Sequence, residues 1–270
     1  MAFNRLTRRV YELAYGRHLP PGDSGEELSM STLELVSFLW QKGGLARLRG
    51  IWRARWLGSC AGRLFVGRDV RIAFPRYLHL GFNVLLADNV NINAYSKNGF
   101  RLGDNVRIRE HVWMLGTAVL TDPGEGLTVG DNVYVGPYCV LGAGGGLSIG
   151  RNVSIGAHVD ILAEDHNFDD PETPINQQGV RRRGIFIEED CWIGNRATIL
   201  DGVRVGRGSV IGAAAVVTRD VPEFSVAVGS PARVVRDRRY RGPVVDRPAP
   251  AAPEEPQRRA DEGRTGEGTV

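Results

Sequence analysis

The chain is poor in the features that announce several common protein classes. Its 270 residues hold only three cysteines, Cys60, Cys139 and Cys191. They lie far apart and in no metal-ligand spacing, which argues against a disulfide framework or a zinc site and fits a reducing cytoplasm. No run reaches the roughly 18 apolar residues of a membrane-spanning helix, and no signal peptide with a small-residue cleavage site is apparent. The net charge of +3 is too small to argue for nucleic acid as a partner. A phosphate-binding P-loop is missing too: the run "GAGGG" at Gly142–Gly146 lacks the strand–turn–helix context and the trailing Lys-Ser/Thr.

Glycine is what the chain has in excess, with 35 residues, about 13% against an average near 7%. They recur at intervals and without a collagen triplet. From Ile187 onward, Ile187, Ile193, Ile199, Val205, Ile211 and Val217 stand six apart without a slip. The penultimate residue of each hexad is smaller: Cys191, Ala197, Val203, Ser209, Ala215. Shorter blocks repeat the pattern at Val66–Ile72, Leu80–Leu86–Ile92, Leu102–Ile108–Met114, Val129–Val135–Leu141 and Ile149–Ile155–Ile161.

A period of six fits neither a helix nor an isolated strand. It suits a prism with three flat sides, about six residues per side, the large aliphatic residue pointing inward and the small one filling a corner. Glycines and the pairs in "GDN" and "ADN" supply residues that tolerate turn conformations. The expected fold is an all-β solenoid, a parallel β-helix, over residues 61–240. Its blocks are out of register, so Asn93–Arg101, Leu115–Thr128, Gly142–Ser148 and, longest, Leu162–Phe186 are expected as excursions. Long loops on a rigid scaffold are common seats of function.

Residues 1–60 read differently. "STLELVSFLW" (31–40) begins with an N-cap candidate and continues as an apolar periodic run. "LARLRGIWRARWLG" interleaves Arg47, Arg49, Arg53 and Arg55 with Trp52 and Trp56. Two expectations coexist: a helical cap over the open first coil, and a basic amphipathic segment on an anionic membrane surface. Residues 241–270, rich in Pro, Glu, Arg and Gly, are expected as a disordered tail.

The repeats, the loop "DHNFDDPETPINQQGV" and the run "IFIEEDCWIGNRATILDGVRVGRGSVIGAAAVVTRDVPEFSVAVGSPARVV" together resemble the hexapeptide-repeat acyltransferases. The likeness covers residues 64–238 and is greatest to the maltose/galactoside and polysaccharide O-acetyltransferase branch. The resemblance implies a left-handed β-helix that works as a homotrimer, with each active site between two subunits. It implies acetyl-CoA as co-substrate and His166 as catalytic base. Trp192 and Asn195 would lie near the reacting centre, and Ala213, Thr218, Arg219, Arg233 and, more weakly, Arg236 would line the coenzyme groove. The acceptor would be a hydroxyl of a sugar or surface-polysaccharide precursor, met in the cytoplasm or at the inner face of the membrane. Two departures bear on that acceptor. The coil before the loop offers "YCVLGAGGGLS" where the sugar acetyltransferases have an Asn and an Asp, and the family's small N-terminal domain is replaced by the Arg/Trp-rich region.

Acetyl transfer from a thioester needs a base for the hydroxyl proton and a donor for the oxyanion; histidine suits the first because it titrates near neutrality. Glu164, Asp165, Asp169 and Asp170 are candidates to orient His166. Arg181–Arg183 could meet phosphate, an anionic acceptor or water. Cys139 and Cys191 are expected as packing, and His111 and His158 as surface histidines, His158 lying inside a hexad where it could face a second subunit. Two other functions are weighed: a non-catalytic assembly solenoid, and a γ-type carbonic anhydrase, whose "HxxxxH" pair is missing because His158 and His166 are eight apart.

Overall fold

A computed structural model describes residues 43–117 and 119–240. The expected helix at 31–40 and the expected tail at 241–270 lie outside the described residues. Within them, short strands stack into three parallel sheets of seven, nine and seven strands, the three sides of a prism. The first side runs from Ser59–Gly62 through Leu147–Ile149 and Ile185–Ile187 to Arg204–Val205. The second carries Phe65–Val66, Ser154–Ile155, Trp192–Ile193 and Val210–Ile211, and the third Arg71–Ala73, Asp160–Leu162, Thr198–Leu200 and Val216–Val217. An antiparallel pair, Ser225–Val228 with Arg233–Asp237, closes the second side.

The hexads behave as their spacing implies. Ile187, Ile193, Ile199, Val205, Ile211 and Val217 point inward and are all buried, as are the small corner residues Cys191, Ala197, Val203, Ser209 and Ala215. Two of the three edges are tight turns whose corner residue has positive φ. At the first edge, Asn83, Asn105, Asn132 and Asn152 stack, each carboxamide donating to the next and the last to Asp190. Asparagine tolerates the left-handed region, and the stack satisfies its polar group from coil to coil. The second edge holds Asn89, His111, Tyr138, His158 and Arg196 in the same conformation. There Tyr138 lies stacked between the rings of His111 and His158, with centroids 4.6 and 4.9 Å away.

The third edge takes all the irregularity. Residues stacked in successive coils are 20, 22, 27, 20 and then 38 positions apart in the chain, falling to 18 and 16 afterwards. Every expected excursion leaves from this edge, so the sides and the other two corners stay regular.

Helix α1, Leu45–Ala54, covers the open first coil. Coil carbonyls at that end have no preceding rung to pair with. Arg47 donates to Leu64 O, Arg49 to Val66 O and Arg53 to Val70 O, at 3.3, 2.8 and 3.3 Å. Gly50 lies flat on the coil, where a Cβ would collide with the Leu64 carbonyl. The arginines therefore face the solenoid, and Leu45, Leu48, Ile51, Trp52 and Trp56 are left exposed. The helical region expected through residue 60 stops earlier, because the first strand begins at Ser59. Its sequence, "SCAG", carries no large aliphatic residue for a hexad search to find.

Candidate active site

The longest excursion leaves the third side after Leu162 and re-enters the first at Ile185. Its two stems form a short antiparallel ribbon, Asp165–His166 against Val180–Arg181, with Asp165 opposite Arg181 and His166 opposite Val180. Beyond it, the Gln178 carboxamide donates to the carbonyls of Asp170 and Thr173 at 2.7 and 2.6 Å, and Asn167 Nδ2 donates to Gln178 O. The tip is thus folded on itself. His166 is exposed, and its imidazole makes no hydrogen bond among the described residues.

The three consecutive arginines hold the neck of the loop. Arg181 Nη2 donates to Asp165 Oδ2 at 3.1 Å. Arg182 donates through Nε to Glu164 Oε2 at 2.6 Å and through Nη1 to Asp122 Oδ1 at 2.9 Å. Burial disfavours its charge, but the bonds to Asp122 and Glu164 outweigh this and raise its pKa above the usual arginine value. At the base, the buried Asp201 carboxylate accepts the Arg183 N–H at 3.0 and 2.9 Å and the Gly184 N–H at 2.8 Å.

Of the four acids that might orient His166, Glu164 and Asp165 are therefore engaged by arginines. Asp170 accepts from the Thr173 hydroxyl and the Glu172 N–H, which hold its carboxyl below the usual range. Asp169 alone of the four is uncommitted among the described residues. Sequence reading missed Asp122 and Asp201 as loop anchors. For Asp201 the available signal was its corner "DG" one coil beyond the arginine run.

The remaining candidate residues divide between two places. Trp192 stands outward on the second side, between Ser154 and Val210, with 57% of its surface exposed. Asn195 lies at the second edge, where its Oδ1 accepts the Ala157 N–H at 2.9 Å and its carbonyl accepts the Ala214 N–H. Ala213 is exposed beside it, and Arg233 and Arg236 are exposed on the last strand of the second side. Thr218 and Arg219 are exposed just past Val216–Val217, at the third edge that also carries the His166 loop. One chain thus gathers His166, Thr218 and Arg219 at one edge and the other five around the second side. Arg238 donates to Gly208 O, and Arg239 pairs with Asp237 at 2.6 Å, so both belong to the closure of the prism.

Cys139 and Cys191 are buried, and their thiols face Gly156 O and Gly206 O. Burial pushes both thiols up to about 11, far from the thiolate a nucleophile needs. Among the described residues, no cluster of three or more His, Cys, Asp or Glu could hold a metal ion.

Comparison with known proteins gives the following. The family model of the bacterial transferase hexapeptide, six repeats, matches residues 184–219. A Mycobacterium tuberculosis protein named a probable acetyltransferase is 32% identical over 180 residues, 66% of this chain and 51% of that protein. A Staphylococcus aureus protein provisionally named an acetyltransferase is 42% identical over 121 residues, 43% of this chain and 57% of that protein. The chain therefore spans about half the length of the curated relatives it matches. Among solved structures, an N-acyltransferase mutant from Bacillus cereus, in complex with dTDP and coenzyme A, is 21% identical with a TM-score of 0.49, over 64% of this chain and 85% of that one. The repeats, the three-sided coils and the family match agree: residues 184–219 are bacterial transferase hexapeptide repeats, and the fold that carries them is a parallel β-helix.

Proposed function

We propose that the chain is an acetyl-CoA-dependent O-acetyltransferase acting on a hydroxyl of a sugar or of a surface-polysaccharide precursor, with His166 as general base. The observation that carries this reading is the loop itself. A solenoid needing only flat binding faces has no use for an exposed histidine on a ribbon whose neck is fixed by four arginine–carboxylate contacts.

In the proposed reaction neutral His166 accepts the acceptor's hydroxyl proton as that oxygen attacks the thioester carbonyl. The tetrahedral oxyanion is stabilised by donors near Trp192–Asn195. Collapse breaks the carbon–sulfur bond, the imidazolium returns its proton to the thiolate, and acetyl ester and free coenzyme A leave. Arg219, Arg233 and Arg236 supply guanidinium groups for the coenzyme's phosphates.

The division of these residues between an edge and a side supports a site shared by two chains, with His166 from one facing the second side of the next. A closed trimer satisfies that arrangement. We further infer a cytoplasmic protein that touches the inner face of the membrane through the outward apolar face of α1. Among the described residues no helix is long and apolar enough to cross a membrane.

The test is binding and assembly together. Acetyl-CoA at about 100 times its Kd should stabilise the native state by about 2.7 kcal/mol, seen as a rise in Tm, in a particle with the mass of three chains by light scattering. No shift at saturating ligand would sink the transferase reading, and a single-chain mass would sink the shared site.

A further inference from the structure

Glu164, Asp165 and three arginines crowd the neck of the loop, but they are not equivalent. In the ribbon, Asp165 is opposite Arg181 and His166 opposite Val180; the next position toward the prism sets Glu164 against Arg182, and these two do form an ion pair at 2.6 Å. Side chains alternate between the faces of a strand. Glu164, His166, Val180 and Arg182 therefore share one face, and Asp165 and Arg181 take the other. Arg182 is also the one arginine of the three that reaches another excursion. Its Nη1 meets Asp122 on the loop after Leu115, a segment closed by Thr117 Oγ1 donating to Asp122 O at 2.9 Å. A planar guanidinium holding two carboxylates in fixed directions restricts rotation as well as distance.

We propose that Arg182, clamped between Glu164 and Asp122, is the positioning residue for His166: it fixes the roll of the ribbon against the preceding loop, and so where the imidazole stands. This rests on the reading of His166 as the base. The Arg181–Asp165 pair supports the opposite face and carries no such role. Arg181 also has a buried Nε without an acceptor among the described residues, so truncating it removes an unsatisfied donor along with the ion pair.

The experiment compares Arg182→Ala, Arg182→Lys, Glu164→Gln, Arg181→Ala and His166→Ala in the full-length chain. The ring carbon–proton signals of isotope-labelled histidine, with the His166 peak identified by its loss in His166→Ala, need no acceptor. One sharp signal is expected in the parent and in Arg181→Ala, and a broadened or divided one in Arg182→Ala. With an accepted sugar hydroxyl, Arg182→Ala should lower kcat on the order of 10- to 100-fold, as misplacement of a reacting group by about 1 Å does, with KM for acetyl-CoA within about twofold. Arg182→Lys should fall between, and the Glu164→Gln/Arg182→Ala double variant should be no worse than Arg182→Ala, because the pair acts as a unit. An unchanged signal and kcat in Arg182→Ala would overturn the proposal, as would an equal loss in Arg181→Ala, which would mean general stiffening. If His166→Ala keeps its turnover, the failure belongs to the base assignment and not to the clamp.

Discussion

Cys139 and Cys191 illustrate how a residue's chemistry is set by its place in the repeat. Each fills a corner position that the hexad reserves for a small side chain, and burial lifts its thiol from an ordinary 9.0 to about 11. In the unfolded chain both ionise near 9, so between about pH 9 and 11 unfolding releases protons and stability falls as pH rises. Below that window the thiols contribute no pH dependence. Denaturant titrations across it should show a decline that is shallower in Cys139→Ala/Cys191→Ala than in the parent; equal slopes would contradict the burial argument. At neutral pH an alkylating reagent is expected to find Cys60, which is half-buried, well before either of the others. The same scale shows what sequence could convey. Inward aliphatics and corner residues were legible because the repeat gives each position one environment. The partners of Arg181, Arg182 and Arg183 were not, because the acids they meet come from three places in the chain, Asp122, Glu164–Asp165 and Asp201. No period brings those together.

Among the elements, α1 was legible as a cap but not in its orientation. The alternation of arginine and tryptophan suggested a basic face turned outward. The open coil inverted that order, because unpaired carbonyls are the stronger claim on a guanidinium. What remains outward is mostly apolar, with Trp52 and Trp56 beside Arg53, Leu57, Ile72 and Pro75 around a shallow hollow. Arg55, Arg71 and Arg76, chain neighbours of the lining residues, are exposed. A tryptophan pair rimmed by cations suits the interface of an anionic bilayer. The full-length chain should co-sediment with vesicles containing phosphatidylglycerol and less with phosphatidylcholine alone, and Trp52→Ser/Trp56→Ser should reduce the bound fraction several-fold. Undiminished binding by the double variant would place the contact elsewhere, and no binding by the parent would reject it.

Seen as a whole molecule, the solenoid separates stability from function by geometry. Two edges and three sides repeat with little variation, and all the variable length is sent to the third edge, where coil spacing swells to 38 positions and then returns to 18. A loop there costs the core nothing, since the rungs above and below still pair, Leu147 with Ile185 and Asp160 with Thr198. The irregular spacing announced the loop in sequence, and the hexads announced the scaffold. Which faces of the prism the candidate residues occupy could be read only from the folded coils, because the edge on which a residue falls depends on every insertion before it. The central claim is that this loop carries the base of an acetyl transfer. Its most direct test is free-thiol release from acetyl-CoA with a panel of sugar hydroxyl acceptors, comparing the parent chain with His166→Ala at matched acetyl-CoA binding. The parent should release thiol with at least one acceptor and the variant should not; turnover by His166→Ala at the parental rate would contradict the account.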